Sequence, residues 1–236
     1  MTPGPLYTYR WPRPALTVDI VVFGFAAGHA GSGPRLDVLL IERDQAPFEG
    51  RRALPGGFVG EHEDLEAAAL RELEEETSVR DVYLEQLYTF GAPGRDPRGH
   101  TVSVAYVALV RPIDHPALAA SDARRAVWTP VEEATDLAFD HDLILKTALA
   151  RLRAKLRYRP IGFSLLPDEF TLGELQDLYE TALGHELDKR NFRKRVEQMG
   201  VLVPTGAKRR GPHRSAALYR FDRARYDALD VEAFDL

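Results

Sequence analysis

Three glutamates, Glu72, Glu75 and Glu76, fall at positions i, i+3 and i+4 of the stretch LEAAALRELEEE, which is built from strong helix formers. On an α-helix that spacing sets all three carboxylates on one face. Like charges this close repel unless a positive charge lies between them. A divalent cation that prefers oxygen, Mg²⁺ or Mn²⁺, meets that need. The helix is expected over residues 63–77. On it Arg71 reaches Glu75 one turn on or folds back toward Glu63. Leu65, Ala69, Leu70 and Leu73 supply the opposite, buried face. Just before the helix, the sharp turn at Gly56 and Gly57 brings backbone carbonyls toward the same cation. By spacing alone, a solvated acidic helix face is the competing reading.

A second concentration of charge has the opposite sign. Residues 188–225 carry twelve Lys and Arg against three acids, a net +9, so the chain total of −5 leaves −14 elsewhere. Such asymmetry points to a polyanionic partner for the basic end. A solvated basic surface is the plain alternative.

The elements that position these groups can be read from hydrophobic pattern. The chain has 236 residues, 44% hydrophobic and 28% charged, and no cysteine, which excludes disulfides and thiolate metal sites. The apolar run LTVDIVVFGFAA is too short to span a bilayer and is broken by Asp19, so no membrane partner and a cytoplasmic location are expected. LTVDIVVFGF and LDVLLIER read as buried strands around a Gly-rich hairpin loop that lacks a phosphate-binding GK[ST] ending. VYLEQLYTFG and TVSVAYVALV are two further strands, and Trp128 marks a strand end before a short helix. Apolar residues at Leu143, Leu145, Ala148, Leu149, Leu152 and Leu156 then define a helix that closes a first domain over residues 1–159.

A second domain is expected over residues 160–236. Thr171 and Glu174 form a capping-box pattern, with Phe170 and Leu175 placed as a hydrophobic staple. KRNFRKRVEQM is a second helix, stopped at Gly200. VLVPTGAKRRGPHRSAALYRF gives two strands joined by a basic loop. Helix, turn, basic helix and hairpin make a winged helix-turn-helix. Its recognition helix carries Lys189, Arg190, Asn191, Arg193, Lys194 and Arg195, anchored by Phe192 and Val196. The wing adds Lys208, Arg209, Arg210, His213 and Arg214. Asn191 and Arg195 are the expected base readers and the rest phosphate clamps on double-stranded DNA. A protein-interaction module is the alternative.

The arrangement Gly57-x5-Glu63-x7-Arg71-Glu72-Leu73-x-Glu75-Glu76-x-x-Val79, following LPGGFV, resembles the Nudix box. The phrases GAPGRDPRGHTVSVAY, FDHDLIL, RLRAKLRY, IGFSLLPDEFTLGELQDLYE, NFRK and ALYRF extend the resemblance to the NrtR family, Nudix-related transcriptional regulators of NAD metabolism. The resemblance implies a Nudix α/β/α sandwich with a mixed sheet, followed by the winged helix. It implies that Glu72 and Glu76 ligate Mg²⁺, that Glu75 is a further ligand or base, and that the Gly57 carbonyl completes the site. Arg71, paired with Glu63, would orient the carboxylates. Which glutamate acts as the base stays open.

Two positions depart from the pattern. Ser78 stands where the box has Gly, which predicts a strained or shifted helix exit. Arg52 stands where relatives often carry Trp, at the expected binding site for a base or sugar. Arg95 and Arg98 either hold ligand phosphates or form a charged surface turn. The family implies an ADP-ribose-like ligand, a homodimer, and operator binding that the ligand controls. The intact box adds Mg²⁺-dependent hydrolysis of a nucleoside diphosphate linked to another group. The alternative is a metabolic Nudix pyrophosphatase, active on ADP-ribose or a nucleotide sugar, whose C-terminal domain serves dimerisation or protein contacts.

Overall fold

A computed structural model of the chain describes residues 10–28, 33–80, 82–115, 125–158, 161–210 and 215–228. Alternation along β1 (Ala15–Ala26) organises the first domain. Val18, Ile20 and Val22 point to one side of the sheet, while Val21, Phe23 and Phe25 point to the other. Both sets are apolar because both faces are covered. The strand β1 pairs antiparallel with β2 (Arg35–Glu42) and parallel with β6 (Thr101–Val110). β3 (Arg52–Ala53) and β7 (Ala126–Pro130) pair with β2, β4 (Gly56–Phe58) with β1, and β5 (Glu85–Phe90) with β6. The result is a mixed seven-stranded sheet.

Helix α1 (Leu65–Thr77) covers one face through Ala68, Ala69 and Leu73. Helix α2 (His141–Tyr158) covers the other through Ile144, Ala148 and Leu152. The short helix expected after Trp128 is a single 3-10 turn, Val131–Glu133. Two expectations about α1 need correction. Glu63 lies before the helix, because the Asp64 side chain accepts the Glu66 N–H and starts it at Leu65, two residues later than expected. Leu70 is exposed and adds nothing to the buried face.

The second domain builds on the α2 face. A 3-10 turn (Ile161–Leu165) leads to α3 (Leu172–Leu183), where both hydrogen bonds of the capping box at Thr171 and Glu174 are present. Phe170 and Leu175 are both buried beside it. Helix α4 (Lys189–Gln198) follows, then the hairpin of β8 (Leu202–Arg209) and β9 (Ala216–Phe221). A short helix that the sequence pattern did not suggest, α5 (Arg223–Asp227), comes last. One apolar cluster runs without a break from Val21 and Phe23 through α2 to Tyr179, Phe192 and Val196. Gly162 sits in that junction, where a Cβ would lie 2.9 Å from Leu178 and 3.3 Å from Tyr179. A larger residue there would have to displace the Leu178 side chain. None of the described helices is long and apolar enough to cross a membrane.

Candidate active site and nucleic-acid interface

The turn before α1 and the helix itself face a cavity of about 610 Å³. Register explains its position. The pairing Asp19↔Gly56 and Val18↔Gly57 lays the turn along β1, under the first residues of the box. The Gly56 N–H then donates to Glu76 Oε2 at 2.8 Å. Glu72 packs directly on Gly57, where a Cβ would come within 2.4 Å of Oε1. Only glycine lets that carboxylate reach the turn.

Arg71 gathers the acids from the helix side. Its guanidinium donates to Glu63 at 2.7 and 2.9 Å, to Glu72 at 2.8 Å, to Glu75 at 3.1 Å and to the Phe58 carbonyl at 3.1 Å. The Gly60 N–H adds a bond to Glu63 at 3.0 Å. These hydrogen bonds, Arg71 first, hold the Glu63 carboxyl down at about 2. Glu76 behaves in the opposite way. Burial pushes it up to about 8, against the Gly56 hydrogen bond, and neighbouring Glu72 adds to the rise. Burial raises Glu72 as well, against the pull of Arg71.

Glu72, Glu76, Gly56, Gly57, Glu63 and Arg71 all line the cavity. Glu75 points outward, with 60% of its side chain exposed, and touches the group only through Arg71. Among the described residues, no three His, Cys, Asp or Glu side chains converge tightly enough to hold a metal ion alone. A small hard cation does not need that, since Mg²⁺ commonly takes one or two carboxylates and completes its shell with water and substrate phosphate. The carboxylates of Glu72 and Glu76 beside the Gly56–Gly57 turn fit this donor set. Glu75, already held by Arg71 and turned to solvent, fits it less well.

A buried network forms the opposite wall. Asp19 accepts from the Ser103 hydroxyl at 2.5 Å and from Arg95 at 3.3 Å, and His141 Nε2 lies 3.3 Å from its other oxygen. His141 Nδ1 accepts the Leu54 N–H at 2.9 Å, which leaves the ring proton on Nε2, facing Asp19. Burial alone would raise the Asp19 carboxyl, but His141, Ser103 and Arg95 outweigh it and hold the group below its ordinary value. Sequence reasoning passed over Asp19, although one acid inside a wholly apolar strand was the available signal. It also missed Arg43, Asp140 and His141.

The arginines divide. Arg95 lines the cavity but is 4% exposed and locked in a two-pronged pair with Asp140, at 2.6 and 2.9 Å. It therefore serves as a wall strut, and its guanidinium is not free to clamp a phosphate. Arg98 lines the same cavity, pairs with Asp96 at 2.7 Å and lies over the Phe58 and Phe139 rings. Arg43 lies over Phe139 as well, 4.7 Å from its centroid. Arg52 is a correction: it turns away from the cavity and donates to the Glu133 and Thr135 carbonyls at 2.8 and 3.3 Å.

In the second domain, Phe192 and Val196 anchor α4 in the core, which leaves Lys189, Arg190, Asn191, Lys194 and Arg195 on its exposed side. Arg193 is half-buried, and its Nε has no hydrogen-bond partner. Lys208 and Arg210 are exposed on the wing. Arg209 is also exposed but ion-pairs with Glu174 and donates to the Glu169 carbonyl. His213 and Arg214 lie outside the described residues.

The mixed sheet between helices, with a glycine turn and a glutamate-rich helix over one cavity, defines a Nudix domain. The NUDIX domain family matches residues 14–152, and the NrtR DNA-binding winged helix domain matches residues 162–221. A protein of Acinetobacter baylyi described as an ADPR responsive transcriptional repressor, NtrR, is 40% identical over 227 residues, 92% of this chain and 86% of its own length. The crystal structure of Shewanella oneidensis NrtR with a 27mer DNA matches with a TM-score of 0.78 and 37% identity, over 90% of this chain and 95% of that one. The NUDIX domain of the same protein with ADP ribose matches with a TM-score of 0.53 and 36% identity, over 60% of this chain and 90% of that one. The chain belongs to the NrtR family of Nudix-related transcriptional regulators.

Proposed function

We propose that this protein is a transcriptional repressor that grips operator DNA through its winged helix and is controlled by ADP-ribose or a similar nucleoside diphosphate in the Nudix cavity. The observation that carries this reading is one chain holding both an acid-and-arginine-lined cavity of about 610 Å³ and a basic helix and wing. The two functional units divide at residues 159–160, which lie outside the described residues. The protein acts as a cytoplasmic homodimer, so that two winged helices meet a two-fold-symmetric operator. Lys189, Arg190, Lys194, Lys208 and Arg210 contact phosphates, and Asn191 and Arg195 read bases.

The cavity is also built for hydrolysis. Glu72, Glu76 and the glycine turn would hold Mg²⁺ or Mn²⁺, which neutralises a diphosphate and activates a water when bound. Arg71 holds the Glu72 carboxylate at the turn and is itself held by Glu63. Phe58, exposed at the cavity beside Arg98, offers a flat surface for a base or sugar. The effector is thus consumed by its own sensor.

The test is incubation with ADP-ribose and Mg²⁺ after duplex fragments have been selected on the protein. AMP release and loss of the DNA complex are read together. DNA binding that weakens about 10³–10⁵-fold between 50 and 200 mM salt supports the regulator. No DNA binding, or binding indifferent to salt, refutes it. Turnover without any DNA partner would make the protein a metabolic pyrophosphatase.

A further inference from the structure

A second cavity, of about 400 Å³, opens on the sheet face opposite α1, where the two domains meet. One wall is Leu87, Val107, Leu109 and Leu152, from β5, β6 and α2. The other is aromatic: Phe221 stacks on Phe163 with centroids 4.1 Å apart, and Tyr226 lies 5.5 Å from Phe221. Neither wall shares a residue with the Nudix cavity.

The charges around this cleft do not balance. Lys155 ion-pairs with Glu85, and Arg223 with Asp227 at 2.9 Å. Arg151 lines the same cleft and has no hydrogen-bond or ion-pair partner among the described residues. The cleft therefore offers flat apolar walls and one uncommitted guanidinium. A neutral apolar molecule would leave that guanidinium unused. A polyanion would meet Glu85 and Asp227 as well.

We infer that this cleft is a second small-molecule site, for a flat apolar or aromatic monoanion. Its size and its place between domains are those of ordinary ligand pockets. A molecule bound there touches the first domain through β5, β6 and α2, and the second through the 161–165 turn, β9 and α5. It stiffens that joint and shifts the population of DNA-binding arrangements. The regulatory consequence rests on the repressor reading; the binding itself does not.

The probe is 2-naphthoate, compared with the neutral 2-naphthalenemethanol, titrated calorimetrically into the full chain with and without ADP-ribose. One saturable site is expected, binding the carboxylate about tenfold or more tighter than the alcohol, as one charge-assisted hydrogen bond allows. Arg151→Gln should erase that preference. Ser164→Trp, on the exposed rim, should fill the cleft and abolish binding; the Arg151 variant carries the test if the Trp variant misfolds. The proposal is overturned by no saturable binding, by equal affinity for the two probes, or by displacement with ADP-ribose. It is also overturned if binding tracks self-association, which gives the cleft to a second copy. Binding that arises only after removal of residues 229–236 gives the cleft to the chain itself and overturns the proposal equally. An unchanged operator affinity at saturating naphthoate removes only the regulatory step.

Discussion

Arg209 on the wing ion-pairs with Glu174, the residue that also completes the capping box of α3. One Glu174 oxygen takes the Thr171 N–H at 2.8 Å, and the other takes the arginine. A wing cation that the sequence assigns to DNA is thus already held by a carboxylate, and DNA phosphates would have to compete for it. Glu174→Gln keeps an oxygen for the cap and drops the competing charge. Operator affinity should rise a few-fold, and the slope of log K against log salt should steepen by up to about one phosphate contact. Fluorescence anisotropy over a salt series checks this; weaker binding by the variant would show that the pair builds the wing and does not restrain it.

The contrast between Arg209 and Lys208 shows where sequence legibility ends. The buried strand through Val18–Phe25, the capping box at Thr171 and the helical spacing of Glu72 and Glu76 are local features, and each stands in the fold where its pattern puts it. What a side chain meets across the fold is not local. Arg95 reads from the sequence as a phosphate clamp or a surface turn, and the carboxylate that holds it, Asp140, lies 45 residues on. Arg52 looked like a base-stacking position until the carbonyls near Glu133 claimed it. Asp19 carried a signal, but its partners Ser103 and His141 come from two distant elements.

Ser78 holds the exit of α1 at φ 60°, ψ 11°, the left-handed conformation that the box pattern reserves for glycine, while its N–H still bonds the Glu74 carbonyl at 2.9 Å. The helix exit is not shifted; the side chain bears the cost. Ser78→Gly should stabilise the fold by about 1 kcal/mol and raise the melting temperature by roughly 2–4 °C, as read by differential scanning calorimetry. An unchanged or lower melting temperature would mean that the serine gains a compensating interaction.

Glu76, raised by burial to about 8 from an ordinary value near 4.5, binds a proton more tightly in the folded chain than in the unfolded one. Its contribution to metal-free stability is therefore fully present below about 4.5 and is lost as pH rises through about 8. In chelator, urea unfolding should show stability falling across that window, and Glu76→Gln should flatten the fall. A divalent ligand reverses the preference, because it needs the carboxylate. Mg²⁺ or Mn²⁺ binding should strengthen as pH rises toward about 8, level off above it, and release a proton that calorimetry in two buffers can count. Proton-free binding at pH 7 would mean that Glu76 either is ionised before the metal arrives or does not ligate it.

Glu63 accepts from Nε and Nη2 along one edge of the Arg71 guanidinium, and Arg71 in turn holds Glu72 at the glycine turn. Glu63→Gln keeps the shape but halves the charge-assisted contacts. If hydrolysis is retained in the wild type, turnover should fall about tenfold or more while operator affinity without ligand stays put. Glu63 stays ionised down to about 2, so the acid limb of the pH–rate profile should be identical in the variant. A shifted acid limb would assign Glu63 a proton-transfer role.

Helix α2 touches both ends of the molecule's task. At its start His141 holds Asp19 and the Leu54 N–H, and the preceding Asp140 holds Arg95, all at the wall of the Nudix cavity. Near its end, the Arg153 Nε–H donates to the Ala182 carbonyl at 3.0 Å, in the last turn of α3. That carbonyl has no intrahelical partner by position, so the arginine caps α3 from a neighbouring helix. Eighteen residues of α-helix reach about 27 Å, enough to run from the wall of the cavity to the DNA-binding domain. Arg153→Ala should leave ADP-ribose affinity and ligand-free operator affinity within about two-fold of wild type. What it should reduce is their coupling, the factor by which saturating ADP-ribose weakens operator binding, by several-fold. Anisotropy titrations at zero and saturating ligand give that factor directly. Coupling that survives intact would route the signal outside α2, through the dimer or through the cleft between the domains.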